Sequence, residues 1–232
     1  MNGILLIDKE PGISSFDVIR RIKHHSVEKL KIGHAGTLDP FASGLLVILL
    51  GRATKTMDMF HKMRKGYSFT VEFGYETDTL DPTGEKIFID TDQHNFTPTE
   101  IKSVLLGFRG EQTQIPPIYS AKKVKGKRAY DIARKGGTPV LEPIKVNIYK
   151  LEHISGEGSQ HTFEATVSSG TYIRSLASDI GRALGSYATT TALRRTFIGD
   201  YAVTDAVPSK LLDRIELADK LLPTPTWKEN VM

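Results

Sequence analysis

The segment "KIGHAGTLDPFASGLL", Lys31 to Leu46, places His34, Thr37 and Asp39 among Gly33, Gly36 and Gly44, with Pro40 directly after the carboxylate. A residue before proline is driven to extended backbone angles, so Pro40 restricts where Asp39 points. The glycines allow another backbone to approach closely. "LLVILLG", residues 45–51, follows as an apolar run that reads as a buried strand. The segment is therefore a constrained turn that presents one acid at the start of a core strand. An acid that stabilises a turn and an acid that does chemistry both fit these residues.

Upstream, "GILLI" (3–7) reads as a short buried strand and "DKEPG" (8–12) as a turn. Ser14 or Ser15 is placed to cap a helix through "FDVIRRIKHH", with Phe16, Ile19 and Ile22 on one face. Downstream, "YSFTVEFGY" alternates, so Tyr67, Phe69, Val71 and Phe73 face one way in a half-buried strand. "TDTLDPTGEK" is a loop and "KIFID" a strand. Thr97 caps a helix through "PTEIKSVLLGF", with Pro98 in its first turn. "EQTQIPPIYSAKKVKGKR" shows little periodicity and reads as an irregular excursion, and "TFEATVSSG" reads as a strand. "TYIRSLASDIGRALG" forms a helix with Ile173, Leu176, Ala177, Ile180 and Leu184 on one side and Gly185 at its end. Strands and helices mix without a regular βαβ rhythm, so the expected class is α+β.

The 232 residues are enough for one large domain or two small ones. With no cysteine, disulfides, thiolate chemistry and Cys-type zinc sites are excluded. The N-terminus lacks a basic region and a cleavage site, and no apolar run is long enough to span a bilayer, so a cytoplasmic protein is expected. The formal net charge is +4, unevenly spread. Of 31 Lys and Arg and 27 Asp and Glu, Lys122–Lys135 holds seven and one, which leaves 24 and 26 elsewhere. A local basic segment on a near-neutral body suits a polyanion partner with a defined docking place, or a solvated face.

Arg174 stands where a strand gives way to a helix, where its guanidinium fork suits either a carboxylate or the surface. Tyr67 suits either the core or stacking on a base. His34 suits either a phosphate or the turn itself. No His/Asp/Glu set has metal-ligand spacing, and neither a Walker loop nor a Ser-centred elbow is present.

In combination the motifs are more specific. "LLIDKEPGISSFDV" (5–18), "GHAGTLDPFASGLLVILLGRATK" (33–55), "KGYSFTVEFGYETDTLDPTG" (65–84), "PPIYSAKKVKGKRAYDIARKG" (116–136), "SSGTYIRSLASDIG" (168–181) and "LRRTFIG" (193–199) resemble, in order, the bacterial tRNA pseudouridine-55 synthases of the TruB family. The resemblance implies the pseudouridine synthase fold: a mixed, mostly antiparallel central sheet flanked by helices, with a basic thumb loop that grips RNA. It implies a single catalytic domain over 1–232, with 111–140 as the thumb insertion and 206–232 as a tail without a PUA domain. Asp39 is implied to be the catalytic aspartate, Tyr67 to stack on the target base and Arg174 to pair with Asp39. His34, Asp81, Tyr172, Lys122, Lys123, Lys125, Lys127, Arg128 and Leu193 are implied to contact RNA. The implied reaction isomerises uridine 55 in the T arm of tRNA, with no metal or cofactor, in a monomer. Glu10 departs from the family's usual Asp-Lys-Pro, and a small change in that loop is expected. An RNA-binding protein without catalysis and a ribosome-associated factor are rival readings of the same surface.

Overall fold

The computed structural model describes residues 1–24, 30–91, 95–124, 126–214 and 216–225. In chain order its elements are β1 (Gly3–Lys9), α1 (Ser15–His24), β2 (Ile32–His34), β3 (Ser43–Leu50), α2 (Met57–Lys62), β4 (Lys65–Phe73), β5 (Tyr75–Thr77) and β6 (Lys86–Ile89). Then come α3 (Pro98–Leu105), β7 (Gly110–Gln114), β8 (Lys123–Val124), β9 (Lys127–Arg128), α4 (Ala129–Ala133), β10 (Ile144–Glu157) and β11 (Gln160–Val167). The last are α5 (Ile173–Ala183), β12 (Ala188–Ile198), β13 (Tyr201–Ala202) and β14 (Val207–Pro208). The chain is α+β, and it divides into two compact units, Met1–Tyr67 with Leu193–Met232, and Ser68–Ala192.

In the first unit the strands lie in the order β14, β1, β3, β12, with β2 also on β3. The pairing is mixed: β1 and β3 are antiparallel over Gly3↔Leu50 to Lys9↔Gly44, while β14 on β1 and β12 on β3 are parallel. Every residue of β3 after Ser43 is buried, which is why "GLLVILL" reads as an unbroken apolar run rather than an alternating one. Leu45, Val47 and Leu49 join Ile4, Leu6, Ala35, Ala53, Phe60 and Ile198 in one core. Gly44 has φ +102°, and a Cβ there would lie 2.3 Å from the main-chain oxygen of Arg195, so β12 runs against a bare glycine. The cap of α1 is as expected: the Asp17 amide donates to Ser14 Oγ, and Ser14 N and Oγ both donate to Asp17 Oδ2. Its buried face is Ser15, Val18, Ile19 and Ile22, whereas Phe16 is 63% exposed, a correction to the expected face.

In the second unit β4, β11, β10 and β7 lie side by side, and β10 is antiparallel to both of its neighbours. The expected alternation of β4 is present: Phe69, Val71 and Phe73 are buried, and Phe69 stacks on Phe163 at 5.4 Å. Thr97 and Glu100 form a full capping box on α3. On α5, Ile173, Leu176, Ala177 and Ile180 are buried and Gly185 follows with φ +75°, as the periodicity indicates. The excursion expected to be irregular is more ordered than that: it holds most of β7 and the β8–β9 hairpin, and α4 follows directly.

Candidate active site

In the first unit the turn carrying Asp39 is held through its main-chain carbonyls, chiefly by buried side chains. Arg195, on β12, is 1% exposed, and its guanidinium donates to Leu45 O (2.7 Å), Gly36 O (3.0 Å) and Thr37 O (3.4 Å). Ser15 Oγ donates to Leu38 O and accepts from the Leu38 amide, at 3.0 and 2.9 Å. The Asp39 carbonyl accepts from the Ala42 amide at 3.1 Å, and the Pro40 carbonyl from the Gly12 amide at 2.7 Å. Lys9 is fully buried, and its Nζ donates to Pro40 O (3.3 Å), Glu10 O (2.9 Å) and Ile13 O (2.8 Å). Burial lowers the Lys9 pKa to about 8, against which the negative charge of Asp39 pulls it up. The Asp39 side chain remains part-exposed.

His34 lies on β2 opposite Ile48, part-exposed. Leu193 is buried at the start of the returning segment, and next to it Arg194 grips Asp8 with two bonds of 2.9 and 2.7 Å. Tyr67 is only 9% exposed, so most of its ring is covered in the free protein. Two residues before it, buried Lys65 donates to Phe60 O, His61 O and Met63 O at the end of α2, and burial lowers its pKa to about 8. At Glu10, where the resemblance leads to the expectation of a proline, the amide donates to Ser209 Oγ at 3.0 Å and the carboxylate pairs with Arg21 at 2.8 Å. Proline has no N–H and could not make the first of these bonds.

In the second unit Arg174 is 4% exposed on the first turn of α5. Its guanidinium donates to Thr79 O (2.6 Å), Asp81 Oδ2 (3.1 Å) and Tyr119 O (2.9 Å). The other carboxylate oxygen of Asp81 accepts from Thr79 Oγ1, the Thr83 amide and Thr83 Oγ1. A buried ion pair of this kind persists because both partners have further hydrogen bonds. Leu80, between Thr79 and Asp81, has φ +59°, the one non-glycine residue at positive φ among those described. Tyr172 occupies the N-cap position of α5 without a side-chain capping bond, and Gln114 clasps its main chain from both ends: Nε2 donates to Tyr172 O at 3.0 Å and Oε1 accepts from the Tyr172 amide at 2.8 Å. Of the basic excursion, Lys123, Lys127 and Arg128 are exposed on the β8–β9 hairpin, and Lys122 is part-exposed just before it. Lys125 lies outside the described residues. Arg128 donates to Tyr130 Oη at 2.6 Å, and Arg134 lies 5.5 Å from the same ring.

The structure thus places Asp39, His34, Tyr67 and Leu193 in the first unit, and Asp81, Tyr172, Arg174 and the basic hairpin in the second. Sequence reasoning missed Lys9, Ser15, Arg195 and Gln114. The first three lie inside the motif blocks quoted above, so their positions were in view while their burial was not. No group of three His, Asp or Glu suited to a metal ion occurs among the described residues.

The fold resembles solved pseudouridine-synthase-type chains. The chain solved in a Cbf5-Nop10-Gar1 complex superposes with a TM-score of 0.67 at 29% identity, covering 91% of this chain and 54% of that one. A chain from an H/ACA ribonucleoprotein bound to a substrate RNA gives 0.64 at 26%, with 91% and 52% covered. The match therefore spans about half of each solved chain. The sequence comparisons are more specific. The TruB family pseudouridylate synthase (N terminal domain) model matches residues 21–173. The tRNA pseudouridine synthase B of Aquifex aeolicus is 46% identical over 209 residues, 89% of this chain and 72% of the relative. That of Bordetella avium is 44% identical over 208 residues, 89% and 85%. The chain belongs to the TruB family of pseudouridylate synthases, and with them to the isomerases.

Proposed function

We propose that this protein converts uridine to pseudouridine at position 55 in the T arm of tRNA, with Asp39 as the catalytic carboxylate. The observation that carries the proposal is the Asp39 turn: a part-exposed carboxylate on a loop whose carbonyls from Gly36 to Pro40 are all bound to fixed donors. In the isomerisation the bond from N1 to C1′ breaks, the base turns, and C5 bonds to C1′. The proton on C5 is lost and N1 gains one, so nothing is oxidised and no group leaves. The step needs a carboxylate against the sugar, acting as in glycoside hydrolysis by stabilising or capturing C1′, or alternatively removing the C2′ proton. The target base is stacked in a folded loop and must be flipped out, at a cost of a few kcal/mol. Stacking on Tyr67 offsets this by about 1–3 kcal/mol per base.

In the second unit Arg174 and Asp81 are the residues that act on the flipped nucleotide, and the basic residues from Lys122 to Arg128 take the phosphates of the arm. Sequence-specific reading of RNA targets unstacked loop bases, as the T loop presents. No helix among the described residues is long and apolar enough to cross a membrane. The test is to incubate purified protein with unmodified tRNA and map pseudouridine at single-nucleotide resolution. Product at position 55, absent with Asp39→Asn, is expected; product at other positions only would overturn the site assignment. A T-arm hairpin should be within about 100-fold of whole tRNA in kcat/KM, or about 2.7 kcal/mol of transition-state binding.

A further inference from the structure

Arg195 poses a physical problem that the reaction leaves open. Burying a guanidinium is expensive unless its charge and its N–H groups are answered. Arg195 is 1% exposed, yet among the described residues it has no carboxylate partner; its bonds go to the carbonyls of Gly36, Thr37 and Leu45. A second buried cation, Lys9, takes the Pro40 carbonyl from the other side of the turn. Burial lowers the pKa of both Lys9 and Lys65, and the Arg195 charge lowers both further, while Asp39 and Glu10 pull Lys9 back up. Such a grouping opposes folding on electrostatic grounds, and a core of this apolarity is better served by an apolar side chain at position 195. What the guanidinium provides is its rigid fork, which spans from β3 to the turn and holds three carbonyls in fixed directions.

We propose that Arg195 is a positioning residue for Asp39: its planar fork sets the path of Gly36 and Thr37, and with Lys9 it fixes the direction from which the Asp39 carboxylate meets the sugar. The inference rests on Asp39 being the catalytic carboxylate. Arg195 itself touches no substrate. Its contribution is to the reacting geometry, so it acts on the chemical step rather than on RNA affinity. A misplacement of about 1 Å far from the chemistry costs about 100-fold in rate.

The test measures kcat, KM for tRNA and thermal midpoint for wild type, Arg195→Met, Arg195→Lys and a core control, Phe60→Leu, whose side chain is fully buried in the same unit. Arg195→Met is expected to lose about 100-fold in kcat with KM within about threefold. Arg195→Lys keeps a buried charge but not the fork, and recovers part of that loss, ending about 10-fold below wild type. Phe60→Leu lowers the thermal midpoint and leaves kcat alone. Should Arg195→Met fail to fold, Arg195→Lys decides: kcat within about threefold of wild type, or KM rising as much as kcat falls, overturns the proposal. Full activity of Asp39→Asn, by contrast, would strike the catalytic reading and not the geometry of this loop.

Discussion

The Asp39 turn and the basic hairpin at 123–128 are both short, charged and partly exposed, but they are built on opposite principles. In the turn, five successive carbonyls from Gly36 to Pro40 are bound by buried or main-chain donors. In the hairpin, two pairs of residues face each other, Lys123 with Arg128 and Val124 with Lys127, and the basic side chains stand in water. The first spends its polar groups on fixing one side chain. The second leaves its lysines exposed at the surface. A reacting carboxylate needs direction, whereas a phosphate contact needs only sign and reach.

The largest effect expected from this contrast is at Asp39. Asn keeps the shape of the side chain but can act neither as nucleophile nor as base, so Asp39→Asn should lower turnover by more than about 1,000-fold. RNA binding, measured by filter retention, should stay within a few-fold. Turnover near wild type, with contaminating enzyme excluded, would mean that the rigid turn serves only the fold. The hairpin should respond in the converse way. Neutralising Lys122, Lys123, Lys125 and Lys127 together should weaken tRNA binding and flatten its salt dependence, each lost phosphate contact removing roughly 0.7–0.9 from the log–log slope. An unchanged slope would make the hairpin a solvated face.

Stability sharpens the same comparison, because buried charge is compensated to different degrees. On α5, burial raises the Asp179 pKa to about 6, opposed by Arg182 and assisted by Glu76. The unfolded carboxyl titrates near 3.8, so between these values the folded chain binds the extra proton. The stability due to Asp179 is therefore complete at low pH and is lost as pH rises through 6. Asp179→Asn should leave stability unchanged near pH 4 and raise it by about 2 kcal/mol at pH 7, read by urea unfolding at both. The smallest effect is at Leu80, whose φ of +59° suits asparagine better. Leu80→Asn should stabilise by about 0.5–1 kcal/mol in the same assay, and a loss instead would show that the Leu80 side chain supports the Asp81 loop.

Legibility followed the physics of each element. β3, β4, α1, α3 and α5 were readable because local rules govern them: an apolar run, a period of two, a capping box, a helical stripe closed by glycine. The fourteen-residue β10 and the eleven-residue β12 went unread. In β12 the buried positions include Thr189, Thr190 and Arg195, so the strand shows no clean apolar alternation where it is most enclosed. Thr189 is tolerated because its hydroxyl donates to Tyr75 O at 3.0 Å, a partner more than a hundred residues away. The exposure of Phe16 was misjudged for a related reason: helical spacing offers several faces, and the choice among them belongs to whatever the helix meets.

By itself, then, the sequence determined the α+β class, the carboxylate on its proline-braced turn, the basic segment and the family, since these depend on residue type and on short-range order. Only the tertiary structure decided that Lys9 and Arg195 are buried cations under the Asp39 turn, that Gln114 clasps Tyr172, and that Arg174 pairs with Asp81. The reason is that a long polar side chain carries no mark of its own burial. Whether it lies in water or in the core depends on carbonyls and carboxylates that distant parts of the chain bring to it.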